Sequence, residues 1–471
     1  MGKSVALLLV LVLTASSIVS VLPVKAEART LVVPDHYSTI VTAIANANNG
    51  DTVFIRKGTY EGPINQTVVI DKTLSIVGEN AENTIIKLYP AYNMTWILTT
   101  PFFSYSDAIA ITADDFKLLN LTVIIYPGGD VSVTGNRTQI IGNNITRGYS
   151  SGITVQGSYC RITDNSGSGP IRLNGSFSEV ARNAPYGINI VGSFNVIRDN
   201  VCQGLAFDDS KNNIVSGNKV TTDSRSYCGI CFSNSHNNLF YRNRVAGFGY
   251  GVELWLSSNN AIMANAITDC DTGSFALGGS FNNRIYLNLM KNNNWWDRYF
   301  YDFYSDPWVR DGNPDMKVST NFWDNGSVGN YWGDYNGTDA NGDGIGDLPY
   351  IMKIVVRYFG NGEEEVVFGR DNFPLMTPVN IDSVSIELPE WALNLPPEPQ
   401  EIDHPVTEPE PQEPTSTPSS EPEIEPFPTS VIVASVAVAA VAIAGAGLLV
   451  YFKKRNHQAE TFRYLLLEDE Q

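Results

Sequence analysis

Histidine is nearly missing from this 471-residue chain: four occur, at positions 36, 236, 404 and 457. With no His-rich or Met-rich tract either, a dedicated copper centre has no obvious ligand set to draw on. Cysteine is also scarce. Cys160, Cys202, Cys228, Cys231 and Cys270 are too few for a disulfide framework in so long a chain, although they leave room for one or two bridges. Cys228 and Cys231 form a Cys-x-x-Cys on a strand pattern, where positions i and i+3 point to opposite faces, which disfavours a redox or zinc role. Cations are outnumbered, 31 Lys and Arg against 50 Asp and Glu, and the resulting pI near 4.6 argues against nucleic acid as a partner.

The acidity is unevenly spread. Asp382 to Glu425 holds 12 acids, and no Lys or Arg occurs between Arg370 and Lys453. The same stretch is proline-rich, with 12 prolines from Pro389 to Pro428, so it cannot bury a core and is expected to be an extended stalk. In polyproline geometry its reach is on the order of 120 Å. Beyond it, Val431 to Phe452 is a run of 22 uncharged residues followed by Lys453-Lys454-Arg455, the pattern of a membrane helix with its basic end in the cytoplasm. The chain opens with Lys3, an apolar run and Val24-Lys25-Ala26, the form of a cleavable secretory signal. Eight N-x-S/T sequons, at Asn65, Asn93, Asn120, Asn136, Asn144, Asn174, Asn325 and Asn336, fit an exported glycoprotein. These features predict a cell-surface, single-pass protein with its N-terminal domain outside.

Between the two ends lies a repeat. An apolar residue followed three positions later by Asn recurs as Ile140/Asn143, Ile162/Asn165, Val180/Asn183, Ile197/Asn200, Val215/Asn218, Phe240/Asn243, Ile262/Asn265 and Ile285/Asn288. The asparagines are 22, 18, 17, 18, 25, 22 and 23 residues apart. Most units also hold a glycine leading a short alternating strand, such as Gly187-Ile188-Asn189-Ile190 and Gly251-Val252-Glu253-Leu254. Strands this short bury an apolar face only when stacked as coils, with equivalent residues about 4.8 Å apart and asparagines laddering at the turns. The units have no helical periodicity and are full of Gly and Asn, which excludes a helical solenoid. The expected fold is all-β, a right-handed parallel β-helix with an N-terminal helical cap and a C-terminal aromatic and calcium-loop cap, plus one transmembrane helix.

Val33-Pro34-Asp35 through Gly58-Thr59-Tyr60 resembles the opening of the pectin-lyase-like β-helix superfamily, and the asparagine-rich coils resemble its NosD-type, CASH-domain branch. The likeness runs over roughly residues 31 to 378. Asn330-Tyr331-Trp332-Gly333-Asp334-Tyr335 and Asp371-Asn372-Phe373-Pro374-Leu375 are similar to closing motifs of archaeal surface proteins of this type. The resemblance implies architecture more than activity, because the superfamily holds lyases, hydrolases, epimerases and non-enzymes. The expected organisation is a signal at 1–26, an N-terminal cap at 27–66, coils at 67–292 and a C-terminal cap at 293–380. A stalk follows at 381–430, then a membrane helix at 431–452 and a cytoplasmic tail at 453–471.

Three groups of residues are candidates for chemistry. Asp339, Asn341, Asp343 and Asp347, with the carbonyl of Ile345, match the spacing of a calcium loop, with a structural role expected for the ion. Position 12 is Tyr350, so a further ligand, Asp334 for instance, or water must complete the shell. Aromatic residues crowd the segment from Trp295 to Tyr335; Trp255, Trp295 and Trp296 are candidates to stack on sugars, and end-packing of the solenoid is the alternative. Asp208 and Asp209 at a strand exit are the acidic pair placed for glycoside or uronate chemistry, with His236 in the next coil. Coil alignment sets His236 two residues along from Asp209, roughly 8 Å away. The leading expectation is a surface protein that binds polysaccharide or another surface glycan without turnover. A lyase, epimerase or glycosidase, and a structural envelope component, are the alternatives.

Overall fold

A computed structural model describes residues 27–97, 100–149, 151–224, 226–293, 321–358, 362–393 and 395. All belong to the first of two compact units, Met1–Glu401. The signal run, Trp295 and Trp296, most of the stalk, the apolar span at 431–452 and the tail lie outside the described residues. Among the described residues no helix is long and apolar enough to cross a membrane.

The chain winds into a parallel β-solenoid of about 11 turns. Short strands from successive turns pair in parallel to build a twelve-stranded and a ten-stranded sheet, with five- and six-stranded sheets completing the perimeter. The period-2 alternation seen in the sequence is the reason. In the twelve-stranded sheet Leu118, Ile140, Ile162, Val180, Ile197 and Val215 stack in register and face inward, each 1% exposed or less. Phe207 and Phe232 do the same in the ten-stranded sheet, their rings stacked at 4.9 Å. Burying each such side chain contributes roughly 1.5–3 kcal/mol. Residues Ile40–Asn46 form a helix capped by Thr39, and its Ala43 and Ile44 join the same core.

The turns are held by ladders. Each buried asparagine of the repeat donates its backbone N–H and its Nδ2 to Oδ1 of the asparagine one coil on, as in Asn200 to Asn218 and Asn218 to Asn243. A second column, absent from the sequence reading, runs in the same sense through Asn195, Asn213, Asn238, Asn260, Asn283 and Asn321. Between them the ladders satisfy backbone groups that no strand pairing reaches.

Past the last coil Trp323 and Trp332 continue the core, 5.8 Å apart, and Tyr350 stacks on Trp332 at 4.2 Å. The chain then returns along the solenoid. Asp382 pairs with Arg244 at 2.6 Å, the Val384 carbonyl accepts from Arg242, and Trp391 sets its edge against Phe194. The sequence reading began the stalk at residue 381; instead, described residues 381–395 pack on the coils, with Ile381 5% and Ala392 7% exposed.

Candidate functional site

One turn between the ten- and twelve-stranded sheets differs from the rest. Gly157, Gly175 and Gly192 approach the coil beneath so closely that a Cβ on any of them would lie within about 2.1 Å of a carbonyl oxygen. Two residues after each comes an aromatic, Tyr159, Phe177 or Phe194, at a positive φ of 60°, 57° and 59°. Bulky residues rarely adopt this conformation, and later coils use Asn212, Asn237 and Asn259 at the corresponding turn. The three rings stack face to face, with centroids 5.1 Å apart at both steps.

Beside this stack the outward positions of the twelve-stranded sheet read Gln139, Arg161 and Glu179 in register. Glu179 is held between Arg161 at 3.2 Å and Arg198 at 2.6 Å. At the other end Arg137 bonds Asp115 at 2.7 Å and Asp114 at 3.0 Å, and the Asp115 carboxylate holds its guanidinium above the usual range. Together with Leu395, these residues line a groove of about 480 Å³. The groove offers planar rings and fixed hydrogen-bonding groups, a binding surface of the kind that suits a polar polymer. A Gly-Ser-aromatic triplet marks it at 157–159, 175–177 and 192–194, although the same triplet recurs at 273–275 and 279–281 outside the groove.

The candidate acids sit on the ten-stranded sheet. Asp208, Ser233, Trp255 and Gly278 form one outward column, with two coil steps between Asp208 and Trp255. The indole of Trp255 lies over Gly278, its Cε3 only 2.4 Å from where a Cβ on that glycine would stand. Asp209 leaves the strand at φ 47° and accepts from Nδ2 of Asn234, whose Oδ1 lies 3.2 Å from Nε2 of His236. The Ser258 N–H donates to Nδ1 of His236, so the proton of the neutral ring is on Nε2 and points to Asn234. An amide therefore stands between Asp209 and His236.

In the calcium-type loop Asp339 accepts from the N–H groups of Gly342, Asp343 and Gly344, while Asp347 accepts from Thr338 and Ala340. Asp334 is engaged by the hydroxyl of Tyr350, at 3.0 and 3.2 Å. The sequence reading of Cys228 and Cys231 needs correction. Their Cα atoms are 6.1 Å apart, closer than a fully extended chain puts residues i and i+3, and they are joined as a disulfide. Cys160, Cys202 and Cys270 are buried, and burial pushes the thiols of Cys160 and Cys202 up to about 11.

Comparison with known proteins gives the following. No curated protein matches the sequence. Among solved structures, the A-module of a mannuronan C-5 epimerase from Azotobacter vinelandii aligns with TM-score 0.46 and 15% identity, over 55% of this chain and 84% of that one. A PL6 family polysaccharide lyase from Pseudopedobacter saltans aligns with TM-score 0.28 and 9% identity, over 63% and 93%. The family model described as "Periplasmic copper-binding protein (NosD)" matches residues 109–337.

Proposed function

We propose that this chain is an exported, membrane-tethered surface protein that binds an extended polysaccharide along the side of its solenoid and does not turn it over. The observation that carries the reading is the groove between the Tyr159–Phe177–Phe194 stack and the Arg161–Glu179–Arg198 cluster. Three strained aromatic turns in successive coils persist only when something repays them, and a ligand surface is one such return. Export and anchoring rest on the secretory signal, the apolar span with its basic end, and the periplasmic description of the matched family. The enzyme reading draws on Asp208 and Trp255 in one outward column.

The test uses the full-length protein against a panel of polysaccharides, with binding and cleavage measured together. Tyr159→Asn places at this turn the residue that later coils already use, so the fold is kept while the exposed ring is lost. Affinity is expected to fall about tenfold. Exchanging Asp208 and Asp209 for Asn leaves binding unchanged. Depolymerisation or epimerisation that vanishes with that double exchange would overturn the reading and promote the enzyme.

Calcium belongs to the same proposal. Asp339, Asn341, Asp343 and Asp347, with the Ile345 carbonyl, are the residues that would hold it. The local fold is compatible, since side chains of the loop already organise its backbone around Asp339. Chelation is expected to lower the thermal midpoint, because a ligand of the native state stabilises it by linkage, and Asp343→Ala should remove that sensitivity. Superimposable melts with and without chelator, in protein shown to be metal-free, would sink the site.

A further inference from the structure

Among the described residues, one place brings three ligand atoms of His, Cys, Asp or Glu within 4.8 Å of one another: Sγ of Cys228, Sγ of Cys231 and a carboxylate oxygen of Glu253. It is unrelated to the groove and to the calcium-type loop. Cys231 and Glu253 are register partners in neighbouring coils, both on the outward face of the ten-stranded sheet. Cys228 is tied to Cys231 with their Cα atoms 6.1 Å apart, and at the intervening Gly229 any side chain would strike Val245 and the Gly251 carbonyl. The hydroxyl of Tyr227 donates to Oε1 of Glu253 at 3.2 Å, and the Tyr250 ring meets that of Tyr227 edge-on at 5.5 Å. The cluster is neither sealed nor fully open; Cys228 keeps 9% of its surface.

We propose that Cys228, Cys231 and Glu253 form a redox-gated site for one zinc-class cation. Two thiolates and a carboxylate leave a fourth tetrahedral position for water, and the Tyr227 hydroxyl supplies the outer hydrogen bond that aims the carboxylate. In the oxidised form the two sulfurs are bonded to each other and cannot serve as thiolate ligands. An external dithiol opens the site by two exchange steps: its first thiolate attacks one sulfur and forms a mixed disulfide, and its second displaces the other cysteine. The reductant leaves as a disulfide, its two hydrogens now on Cys228 and Cys231, and the incoming cation displaces both as protons. Disulfide and metal site are thus two states of the same three residues. Among the described residues, the buried Cys160 and Cys202 belong to no such cluster.

The test is a cadmium titration of the full-length protein, oxidised and after reduction with a phosphine that is then removed. The reduced protein should develop a thiolate-to-cadmium charge-transfer band that saturates at one equivalent, and the oxidised protein should show none. Cys228→Ser and Cys231→Ser should each abolish the band. Glu253→Gln should keep it while weakening affinity by about tenfold or more. Three outcomes would overturn the proposal: no band although two new thiols are counted after reduction, a band that survives Cys228→Ser, or a Glu253→Gln titration superimposable on the parent's. The thiol count and the Glu253→Gln titration hold even if a cysteine variant misfolds.

Discussion

Replacing Asn218 by alanine should cost about 3 kcal/mol. The side chain is 1% exposed and makes no contact that water can take over. Its Oδ1 accepts from the backbone N–H and Nδ2 of Asn200, and its Nδ2 donates to the carbonyls of Ile197 and Ser216 and to Asn243. Truncation leaves the Asn200 N–H buried without a partner, at roughly 1–3 kcal/mol, and takes one bond each from Asn200 Nδ2, the Ser216 carbonyl and Asn243 Oδ1, which keep Val180, Asp199 and the Asn218 N–H as partners. Because a solenoid couples mainly nearest neighbours, the damage should be local: amide exchange accelerates in the coils of Asn200 and Asn243 while distant coils stay protected. Asn189→Ala is the control. That side chain is exposed, and the change should stay within about 0.5 kcal/mol. Equal losses at the two positions would show that the ladder is not what holds the turns.

The contrast between these two asparagines also explains what could be read from the sequence. The first ladder was legible because each rung from Asn143 to Asn288 follows an inward apolar residue by three positions, and that offset survives changes in coil length. The second was hidden. Asn213, Asn238, Asn260 and Asn283 each follow another asparagine, and in earlier coils Ser178 and Cys160 occupy the same line. Only three-dimensional register separates the buried residue of each pair from the solvated turn residue before it. The groove was missed for a similar reason, since Tyr159, Phe177 and Phe194 look like scattered loop aromatics until stacking brings them 5.1 Å apart. Alternation failed at Cys228 and Cys231 because it assumes a fully extended chain, whereas their Cα atoms are only 6.1 Å apart. Composition failed at 381–395, where acidic and proline-rich surroundings concealed Ile381, Trp391 and Ala392, whose burial depends on a surface contributed by coils far back in the chain. Local pattern recovered the repeat; what it could not supply was contact between coils.

Asp371 is where the first ladder ends, and it predicts an unusual response to pH. Each asparagine of the ladder passes two donors to the next, so the last one needs an acceptor that asks for nothing in return. Asn330 gives its N–H to Oδ2 of Asp371 at 2.7 Å, Trp332 adds its indole N–H at 2.8 Å, and Phe373 donates to Oδ1 at 3.1 Å. The residue is 0% exposed, and burial outweighs these donors, pushing the carboxyl up to about 6 from an ordinary 3.8. Between those two values the folded chain holds a proton that the unfolded chain has released, so unfolding becomes easier as pH rises. This group's contribution is therefore most favourable below about pH 4, declines through pH 6 and is level above it, a change on the order of 2–3 kcal/mol. Carboxylates such as Glu61, which Lys87 holds below its usual range, act in the opposite sense, so the comparison must be between parent and variant. In Asp371→Asn the amide oxygen can keep the Asn330 and Trp332 bonds while the charge and its titration disappear. Denaturant unfolding from pH 4 to 7 should then show the parent losing stability relative to this variant as pH rises. A parent that instead gains on the variant across that range would mean that the three donors outweigh burial, and that the ladder closes on a carboxylate charged throughout.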